Sequence, residues 1–462
     1  MSTMARHVRV TRTFAKGEVA AMKRILVIIF AFCIIMSIAS CARDMPVDTS
    51  PAEIPATEIS PAPPEPIPFT PPNEPDESNY DDYPNVPAAI DVSFPGRIAI
   101  VTNELDYRRD SCVDSFRSAE AIAKRYGSDR VIHKTWPDNY INNEMMSKIL
   151  TELAEDSEIG AIIINTESLW GFNTLAAIDA VRAIRGDDIF IATAGTAARN
   201  SREVSARVNL ALDINHAAIG SQFVAQAIEM GAEAIVHISF ARHMAVPRLA
   251  ARRDSMKDVA AAVGIPFHEL NSYDHPGFIA QMYIDENMPG WVEKFGENTV
   301  FFATECSQQI ALLQQLLVLG AMYVMPCCPS PFHGFQRAFG FGNYHRDGAG
   351  RVTIFRDGVA ETIEATRQVI DAAGMRGRFS NWILAPESTW TNLAFYYAVE
   401  WLNGEIIQNP GDAADIDLIN RLFADYTESI FGRRYYAEFT NLQIDSETFP
   451  MYVVGLLPFV VY

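Results

Sequence analysis

The sequence predicts an α/β protein of two lobes, each built on a parallel sheet and joined by hinge crossings. From Gly96 onward, short apolar runs alternate with amphipathic stretches of about 10 to 15 residues, the pattern of successive βαβ units. The run at 161–165 (AIIIN) is almost entirely apolar, which is typical of a strand buried on both faces of a sheet. The alternation begins again near Ala217, and the roughly 370 residues beyond residue 94 exceed what one core holds.

The first half of this region supplies the strands and helices of one lobe. Strands are predicted at 97–102, 131–136, 161–165 and 189–193. Helices are predicted, from apolar residues at helical spacing, at 115–126, 144–154 and 174–184. Strands and helices that alternate in this way form a parallel sheet with right-handed crossovers.

The second half repeats the pattern. Helices are predicted at 217–230, 248–263 and 308–319, and strands at 234–238, 299–303 and 322–325. Two late helices, at 389–402 and 415–429, could return the chain to the first lobe. We therefore assign 95–212 and 386–436 to lobe I, 213–385 to lobe II, and 437–462 to a C-terminal extension.

The amino-terminal part has the pattern of a secretory leader. Met22-Lys23-Arg24 precedes an apolar run of about a dozen residues that ends in small residues before Cys41. The segment Ile38-Ala39-Ser40-Cys41 resembles a bacterial lipobox. That resemblance implies cleavage before Cys41, lipid on its sulfur, and a chain held on the extracytoplasmic face of the cell membrane. An ordinary signal peptide, or an uncleaved anchor with a chance cysteine, is the alternative.

Two segments flank the predicted signal peptide at 22–41. Residues 1–21 are mildly basic and without periodicity, and we expect either a mis-called start or disorder. Residues 42–94 are rich in proline and acidic residues, and such a segment buries too little apolar surface to fold. It is predicted to be a disordered, extended tether, with proline-rich recognition as the alternative.

The charge of the chain argues against nucleic acid as a partner. Formal net charge is −20, and the leader contributes +5 (six basic residues against Glu18), so the mature chain carries −25. Such a protein is repelled by phosphate backbones. Of the cysteines outside the leader, we expect mostly buried thiols, and the sequence leaves their disulfide state open. They are Cys112, Cys306, Cys327 and Cys328.

Several segments of the second half resemble the type I periplasmic-binding-protein superfamily. They are Leu212–Gly220, Glu229–Ile238, Arg248–Met256, Ala262–Phe267 and Thr304–Ser307. In that superfamily a helix, a glycine turn, a β run and a basic helix ending in a Gly-Ile-Pro turn open the second lobe in this order. Over 96–436 the chain is similar to an uncharacterised family of bacterial lipoproteins with this fold, classed as a domain of unknown function.

The resemblance implies two Rossmann-like lobes that close on a small-molecule ligand. The same superfamily includes transcriptional repressors with a DNA-binding helix-turn-helix before the first lobe. Here a signal peptide, a lipobox and an acidic tether occupy that place, which favours the exported branch. The fold by itself names no ligand.

Candidate ligand-binding residues follow from a rule of open α/β sheets, in which ligands bind beyond the carboxyl ends of the strands. In a two-lobe protein those ends face each other across a cleft. The residues selected are Asn103, Glu104, Asp106, Tyr107, Arg108, Glu167, Ser168, Trp170 and Thr196 in the first lobe, Ser239, Arg242, His243, Thr304 and Glu305 in the second, and Trp390 near a crossing.

Structural roles are the alternatives at these positions. Asn103 and Thr196 could cap helices. Arg242 could bind a ligand carboxylate or pair with an acidic neighbour. Trp170 could pack against the rim of the cleft.

Enzymatic and metal functions have less support in the sequence. It contains no nucleophile elbow, no His-Glu-x-x-His motif, no Walker loop and no dinucleotide fingerprint. Soft ligands do lie near predicted strand ends, at Cys306, Cys327, Cys328, His237, His243 and His333. Paired C-x-x-C spacing is lacking. We therefore expect no enzyme, no metal and no cofactor.

The sequence thus predicts a lipid-anchored extracytoplasmic solute-binding protein, with an ABC permease as its membrane partner. A ligand sensor for a membrane signalling receptor is the alternative. A metal or haem-type carrier, or a surface enzyme that uses the Cys/His residues, is less favoured. Which small molecule is bound lies beyond the sequence.

Overall fold

The computed structural model describes residues 90–103, 114–136, 143–165, 175–195, 201–275, 277–341, 343–346, 352–355, 358–444 and 446–462. All of them belong to one compact unit, Phe69–Tyr462. The predicted false start, the signal peptide with Cys41, and the tether up to residue 89 lie outside the described residues. None of the described helices is both long and apolar enough to cross a bilayer.

The first lobe is built on a seven-stranded sheet. Its strands are β1 (Arg97–Asn103), β2 (Val131–Trp136), β3 (Ile159–Asn165), β4 (Phe190–Ala194), β5 (Leu210–Ile214), β12 (Glu438–Ile444) and β13 (Glu447–Leu456). Their order across the sheet is β12-β13-β5-β4-β3-β1-β2. Every neighbouring pair is parallel except β12 and β13, which run antiparallel.

Helices cover both faces of this sheet. They are α1 (Asp114–Tyr126), α2 (Asn143–Glu155), α3 (Leu175–Arg185), α4 (Ser201–Ser205), α12 (Pro386–Leu402) and α13 (Ile416–Phe431). Along β1, Ile98 shares a core cluster with Ile122 of α1, whereas Ala99 belongs to the cluster that contains Leu150 of α2. Because successive side chains point to opposite covered faces, the strand is apolar at nearly every position.

The second lobe has a smaller parallel sheet. Its strands β6 (Ala234–Ser239), β7 (Phe267–Asn271) and β8 (Thr299–Ala303) pair in the order β7-β6-β8. Parallel bridges from Val300 to Met322 and from Tyr323 to Phe379 continue the sheet beyond β8. The chain then enters β11 (Ser380–Trp382), which pairs antiparallel with β14 (Phe459–Val461).

The remaining elements surround this second sheet. The helices are α5 (Ile219–Glu229), α6 (Ala241–Met244), α7 (Pro247–Val263), α8 (Phe278–Phe295), α9 (Gln309–Leu319), α10 (Phe335–Phe339) and α11 (Val359–Ala372). A 3₁₀ turn occupies Cys306–Gln308, and an antiparallel hairpin joins β9 (Asn343–Arg346) to β10 (Val352–Phe355).

Helices α5 and α7 approach each other closely at Gly220. A Cβ atom at that position would lie 2.4 Å from the carbonyl oxygen of Arg252 and 2.9 Å from the backbone nitrogen of Met256. Both atoms belong to the backbone of α7 and cannot rotate away. The glycine is therefore required by the distance between the helices and not by its backbone angles.

Within the described part of the chain, three segments pass between the lobes: 215–218 after β5, 383–385 after β11, and 457–458 between β13 and β14. Backbone hydrogen bonds join 383–385 to 457–458, and 215–218 to the end of strand β13. The backbone nitrogen of Asn215 donates to the oxygen of Gly455 at 3.0 Å, and that of Ile383 donates to the oxygen of Pro458 at 3.0 Å. The crossings therefore form one connected bundle.

The side chain of Gln222 ties this bundle to the first turn of α5. Its Nε2 donates to the oxygen of Leu457 at 2.8 Å, and its Oε1 accepts a hydrogen bond from Nε1 of Trp382 at 2.9 Å. One amide thus bonds both to the crossing at 457–458 and to Trp382, which ends β11 just before the crossing at 383–385.

A carboxyl group is buried beside the first crossing. Asp213, near the end of β5, accepts hydrogen bonds from the backbone nitrogen of Ile214 at 2.7 Å and from the hydroxyl of Tyr452 at 3.0 Å. Burial outweighs these bonds and raises the pKa of Asp213 from 3.8 to about 6. Because the raised pKa means that folding favours the protonated acid, keeping the carboxylate ionised in the fold costs stability.

The predicted fold class is confirmed: the chain is an α/β protein of two lobes with parallel sheets. Helix α8 and strand β7 were not predicted, and neither was the structure of 437–462. That C-terminal segment supplies β12 and β13 to the sheet of the first lobe, and its β14 forms a two-stranded sheet with β11.

The close approach at Gly220 predicts a steric effect of a single methyl group. Gly220→Ala should lower the free energy of unfolding by about 1–3 kcal/mol, since the helices must separate. Gly290→Ala is the matched control, because it also lies within a helix but a Cβ atom there would meet no described heavy atom within 4 Å. The control should gain about 0.5–1 kcal/mol through helix propensity. Urea unfolding measures both, and equal effects of the two variants would contradict the packing account.

The buried carboxyl predicts a pH dependence that Asp213→Asn removes. The pKa of Asp213 is higher in the folded than in the unfolded chain. Its destabilising effect is therefore absent well below pH 3.8, grows between pH 3.8 and about pH 6, and is complete above that range. The wild type should therefore lose about 2–2.5 kcal/mol relative to the variant between pH 4 and pH 7. Urea titrations of both proteins at several pH values measure this difference. Parallel stability curves for the two proteins would refute the assignment.

Candidate functional site

Polar side chains of the second lobe converge where β6 and β8 end. The hydroxyl groups of Ser239 and Thr304 are hydrogen-bonded, with 2.8 Å between their oxygens. Nδ1 of His243 lies 3.0 Å from the same Thr304 oxygen. Nε2 of His243 is 3.7 Å from Oε2 of Glu305. Sequence reasoning selected these four residues separately, and the structure brings them into one contiguous cluster, which we call the strand-end cluster.

The local fold fixes the orientation of each member of this cluster. Glu305 precedes the 3₁₀ turn, and its Oε1 accepts hydrogen bonds from the backbone nitrogen and the hydroxyl of Ser307, at 3.4 and 3.1 Å. His243 lies in α6, with its ring 4.0 Å from that of Phe240 between centroids. Oε2 of Glu305 and the edge of the histidine ring are thereby held at the end of the sheet.

Burial sets the charge state of the histidine. The pKa of His243 lies below its ordinary value of 6.5, because desolvation outweighs the opposing effect of Glu305. The ring is therefore mainly neutral at pH 7, with one nitrogen able to donate and the other to accept. Together with Ser239 and Thr304, it offers a ligand neutral donors and acceptors beside one carboxylate.

Arg242 is already paired in this structure. It makes a bidentate contact with Asp274, with nitrogen–oxygen distances of 2.7 to 3.0 Å, and it lies over the ring of Phe240. Of the two alternatives open at the sequence level, the structure shows the pairing with an acidic neighbour. Hydrogen bonding to Asp274 raises the pKa of the guanidinium. Asp274 itself was missed, since it follows β7, which the sequence did not indicate as a strand.

Most of the first-lobe candidates lie outside the described residues. They are Glu104, Asp106, Tyr107, Arg108, Glu167, Ser168, Trp170 and Thr196. Asn103 is described: it ends β1, is buried, and its carbonyl oxygen accepts a hydrogen bond from the hydroxyl of Thr102 at 3.0 Å. A ligand contact through any of these residues stays a prediction.

Trp390 packs inside the first lobe. It is 1% exposed, and its ring makes an edge contact with Phe439 at a centroid distance of 5.9 Å. The indole also lies close to β13, since a Cβ atom on Gly455 in that strand would be 2.8 Å from it. A ligand contact through Trp390 stays a prediction.

A polar contact joins the two lobes at the strand ends. The hydroxyl of Ser330, in the loop after residues 322–325, donates to Oδ2 of Asp114 at 3.2 Å. Asp114 is the first residue of α1 in the first lobe, and the side-chain amide of Asn381 holds the carbonyl of Ser330 at 2.6 Å. The sequence analysis did not select Asp114, because it weighed strand ends and not helix starts.

Three cysteines meet beside the strand-end cluster. The sulfur of Cys306 lies 3.4 Å from that of Cys327 and 3.9 Å from that of Cys328, and the latter two are 4.0 Å apart. All three are free thiols, a state that the sequence had left open. The group of possible metal ligands that they form includes no histidine or carboxylate among the described residues. His237, one of the soft ligands that the sequence places near strand ends, does not belong to this group and is buried against Phe302.

Comparisons with known proteins place the chain in a family. Residues 97–380 match the family model described as protein of unknown function (DUF3798). An uncharacterised protein of Treponema pallidum is 27% identical over 176 residues, which cover 37% of this chain and 79% of that protein.

Two solved structures are similar in fold. A putative transcriptional regulator from Clostridium difficile 630 has a TM-score of 0.67 at 20% identity, covering 80% of this chain and 100% of that one. A periplasmic solute-binding protein of an ABC transporter from Actinobacillus succinogenes, with bound D-allose, has a TM-score of 0.42 at 12% identity, covering 68% and 93%. The first similarity shows a shared fold, and the second is too low to support an argument.

The family match spans well over half of the chain, and the two-lobed architecture agrees with the fold expected from the sequence. The chain belongs to the DUF3798 family of proteins of unknown function and has the two-lobed α/β fold described above.

Proposed function

We propose that this chain is a lipid-anchored, extracytoplasmic solute-binding protein that closes its two lobes on a small polar molecule. The observation that supports this most directly is the strand-end cluster of the second lobe, which lies at the edge of the sheet where α/β proteins bind ligands. Its members come from two strand ends and two following turns, and no enzymatic role is needed to account for their arrangement.

The chemistry of the cluster suits a solute with hydroxyl or amine groups. Ser239, Thr304 and neutral His243 supply donors and acceptors, and Glu305 supplies a carboxylate that can accept two further hydrogen bonds. The guanidinium of Arg242 is neutralised by Asp274, so it is not available to attract an anionic ligand. A sugar or similar polyhydroxylated molecule is therefore the ligand class we propose.

Closure would depend on the crossings and on contacts that span the lobes. The crossings form a hydrogen-bonded bundle, so we expect the lobes to rotate about it as rigid bodies. The bond from Ser330 to Asp114 already joins residues of the two lobes. A ligand would favour closure by adding further contacts of this kind.

The anchor and the partner follow from the leader. A lipid on Cys41 would tether the lobes outside the membrane through the acidic, proline-rich segment. An ABC importer is the partner proposed, since a protein that binds and releases a solute needs a permease to take it up.

Ligand binding should appear as thermal stabilisation of the purified protein. In a screen of monosaccharides, nucleosides and amino acids, a true ligand at a hundred times its Kd should add about 2.7 kcal/mol to the free energy of unfolding. We expect a sugar to give this shift. A screen in which only nucleosides or amino acids stabilise the protein would contradict the ligand class, and one without any stabilising solute would count against the function.

The matched pair Glu305→Gln and Glu364→Gln locates the binding site. Glutamine at 305 keeps an acceptor for Ser307 but loses the charge, so the ligand-induced shift should fall by most of its size. Glu364 is an exposed carboxylate on α11 paired with Arg367, and its substitution should leave the shift unchanged. Equal losses in both variants would place the ligand elsewhere.

Lipidation is tested in cells by metabolic labelling with an alkyne fatty acid. The wild-type chain should be labelled and recovered with membranes, whereas Cys41→Ala should be neither labelled nor processed. Cys33→Ala, within the apolar run of the same leader, is the control and should be labelled normally. Label that persists in the Cys41→Ala protein would refute the lipobox assignment.

A further inference from the structure

The three cysteines at the end of the second sheet form a compact sulfur triangle. Cys306 begins the 3₁₀ turn after β8, while Cys327 and Cys328 follow the extended segment at 322–325. Two neighbouring strand ends thus bring together thiols that are 21 and 22 residues apart in sequence. Cys327 is buried and the other two are half-buried, so the triangle has a sheltered side and an accessible side.

The dimensions of the triangle match a single metal ion. Three sulfurs at about 2.3 Å from one ion, the usual zinc–thiolate distance, stand about 3.8–4.0 Å apart. The separations here are 3.4, 3.9 and 4.0 Å, which is close to that requirement. A disulfide would instead draw two sulfurs to about 2.05 Å and leave the third aside.

Two neighbouring side chains hold the backbone around the triangle. Arg252 is 3% exposed, and its Nη1 donates to the carbonyl oxygen of Cys327 at 2.6 Å, which places a buried cation beside the triangle. Nδ1 of His333 lies 3.1 Å from the carbonyl oxygen of Cys328 and holds the second strand-end loop.

We propose that Cys306, Cys327 and Cys328 bind one thiophilic metal ion through three thiolates. The described residues bring no fourth histidine, cysteine or carboxylate into the group, so the protein offers three-coordinate sulfur ligation. Soft, all-sulfur sites select Cu(I), whereas Zn²⁺ would require a fourth ligand such as water. Cu(I) is therefore the ion expected. This site does not depend on the proposed solute, whose contacts lie on oxygen and nitrogen atoms.

The test is a metal titration of the reduced, full-length chain. Cu(I) in competition with a chromophoric chelator, and Cd²⁺ monitored by its thiolate absorption in the ultraviolet, should each bind at one ion per chain. Cys306→Ser combined with Cys327→Ser and Cys328→Ser should abolish this binding. Cys112→Ser is the matched control and should retain one ion per chain.

A second measurement uses the wild type alone and does not depend on folding of the variants. Alkylation followed by mass spectrometry should show Cys306, Cys327 and Cys328 protected in the Cu(I)-loaded chain, with Cys112 modified equally with and without metal. Stoichiometric Zn²⁺ with the same protection pattern would support the site and correct the choice of ion. An absence of stoichiometric binding under reducing conditions, or binding that survives in the triple variant, would overturn the proposal.

Discussion

The arrangement of both lobes depends on the bundle of chain crossings. The backbone nitrogen of Asn215 donates to Gly455 in β13, that of Ile383 donates to Pro458 after β13, and the amide of Gln222 bonds to Leu457 and Trp382. Because these groups are satisfied within the bundle, it can be buried without the cost of unpaired polar atoms. Every residue at the strand ends is positioned relative to it.

The parts of the fold that the sequence predicted are those where one physical effect dominates. Strands such as 161–165 are buried on both faces, so their apolar composition alone identifies them. Strand β7 (FHELN) is a partly exposed edge strand with mixed polarity, and it leaves no such signal. Helix α8 contains Pro289 and Gly290, which disfavour a helix locally, and only tertiary packing of residues such as Ile284 explains it.

The site could be predicted to a similar extent and for similar reasons. The rule of strand ends identified Ser239 and Thr304 because β6 and β8 were recognised, and the structure brings their hydroxyls into contact. Asp274 escaped because the strand before it was not recognised, and the distance between Cys306 and Cys327 could not be read from their spacing. The order of strands across a sheet decides which loops become neighbours, and the order is a property of the whole chain.

The pairing of β5 with β13 has a consequence for how the protein reaches its native state. Asp213 and Tyr452, which are bonded across this pair, lie 239 residues apart in sequence. During synthesis, β5 of the first lobe therefore has no partner on its β13 side until nearly the whole second lobe has been made. An exposed edge of this kind invites pairing with other chains, so a chaperone that shields it until β13 has been made would serve this topology.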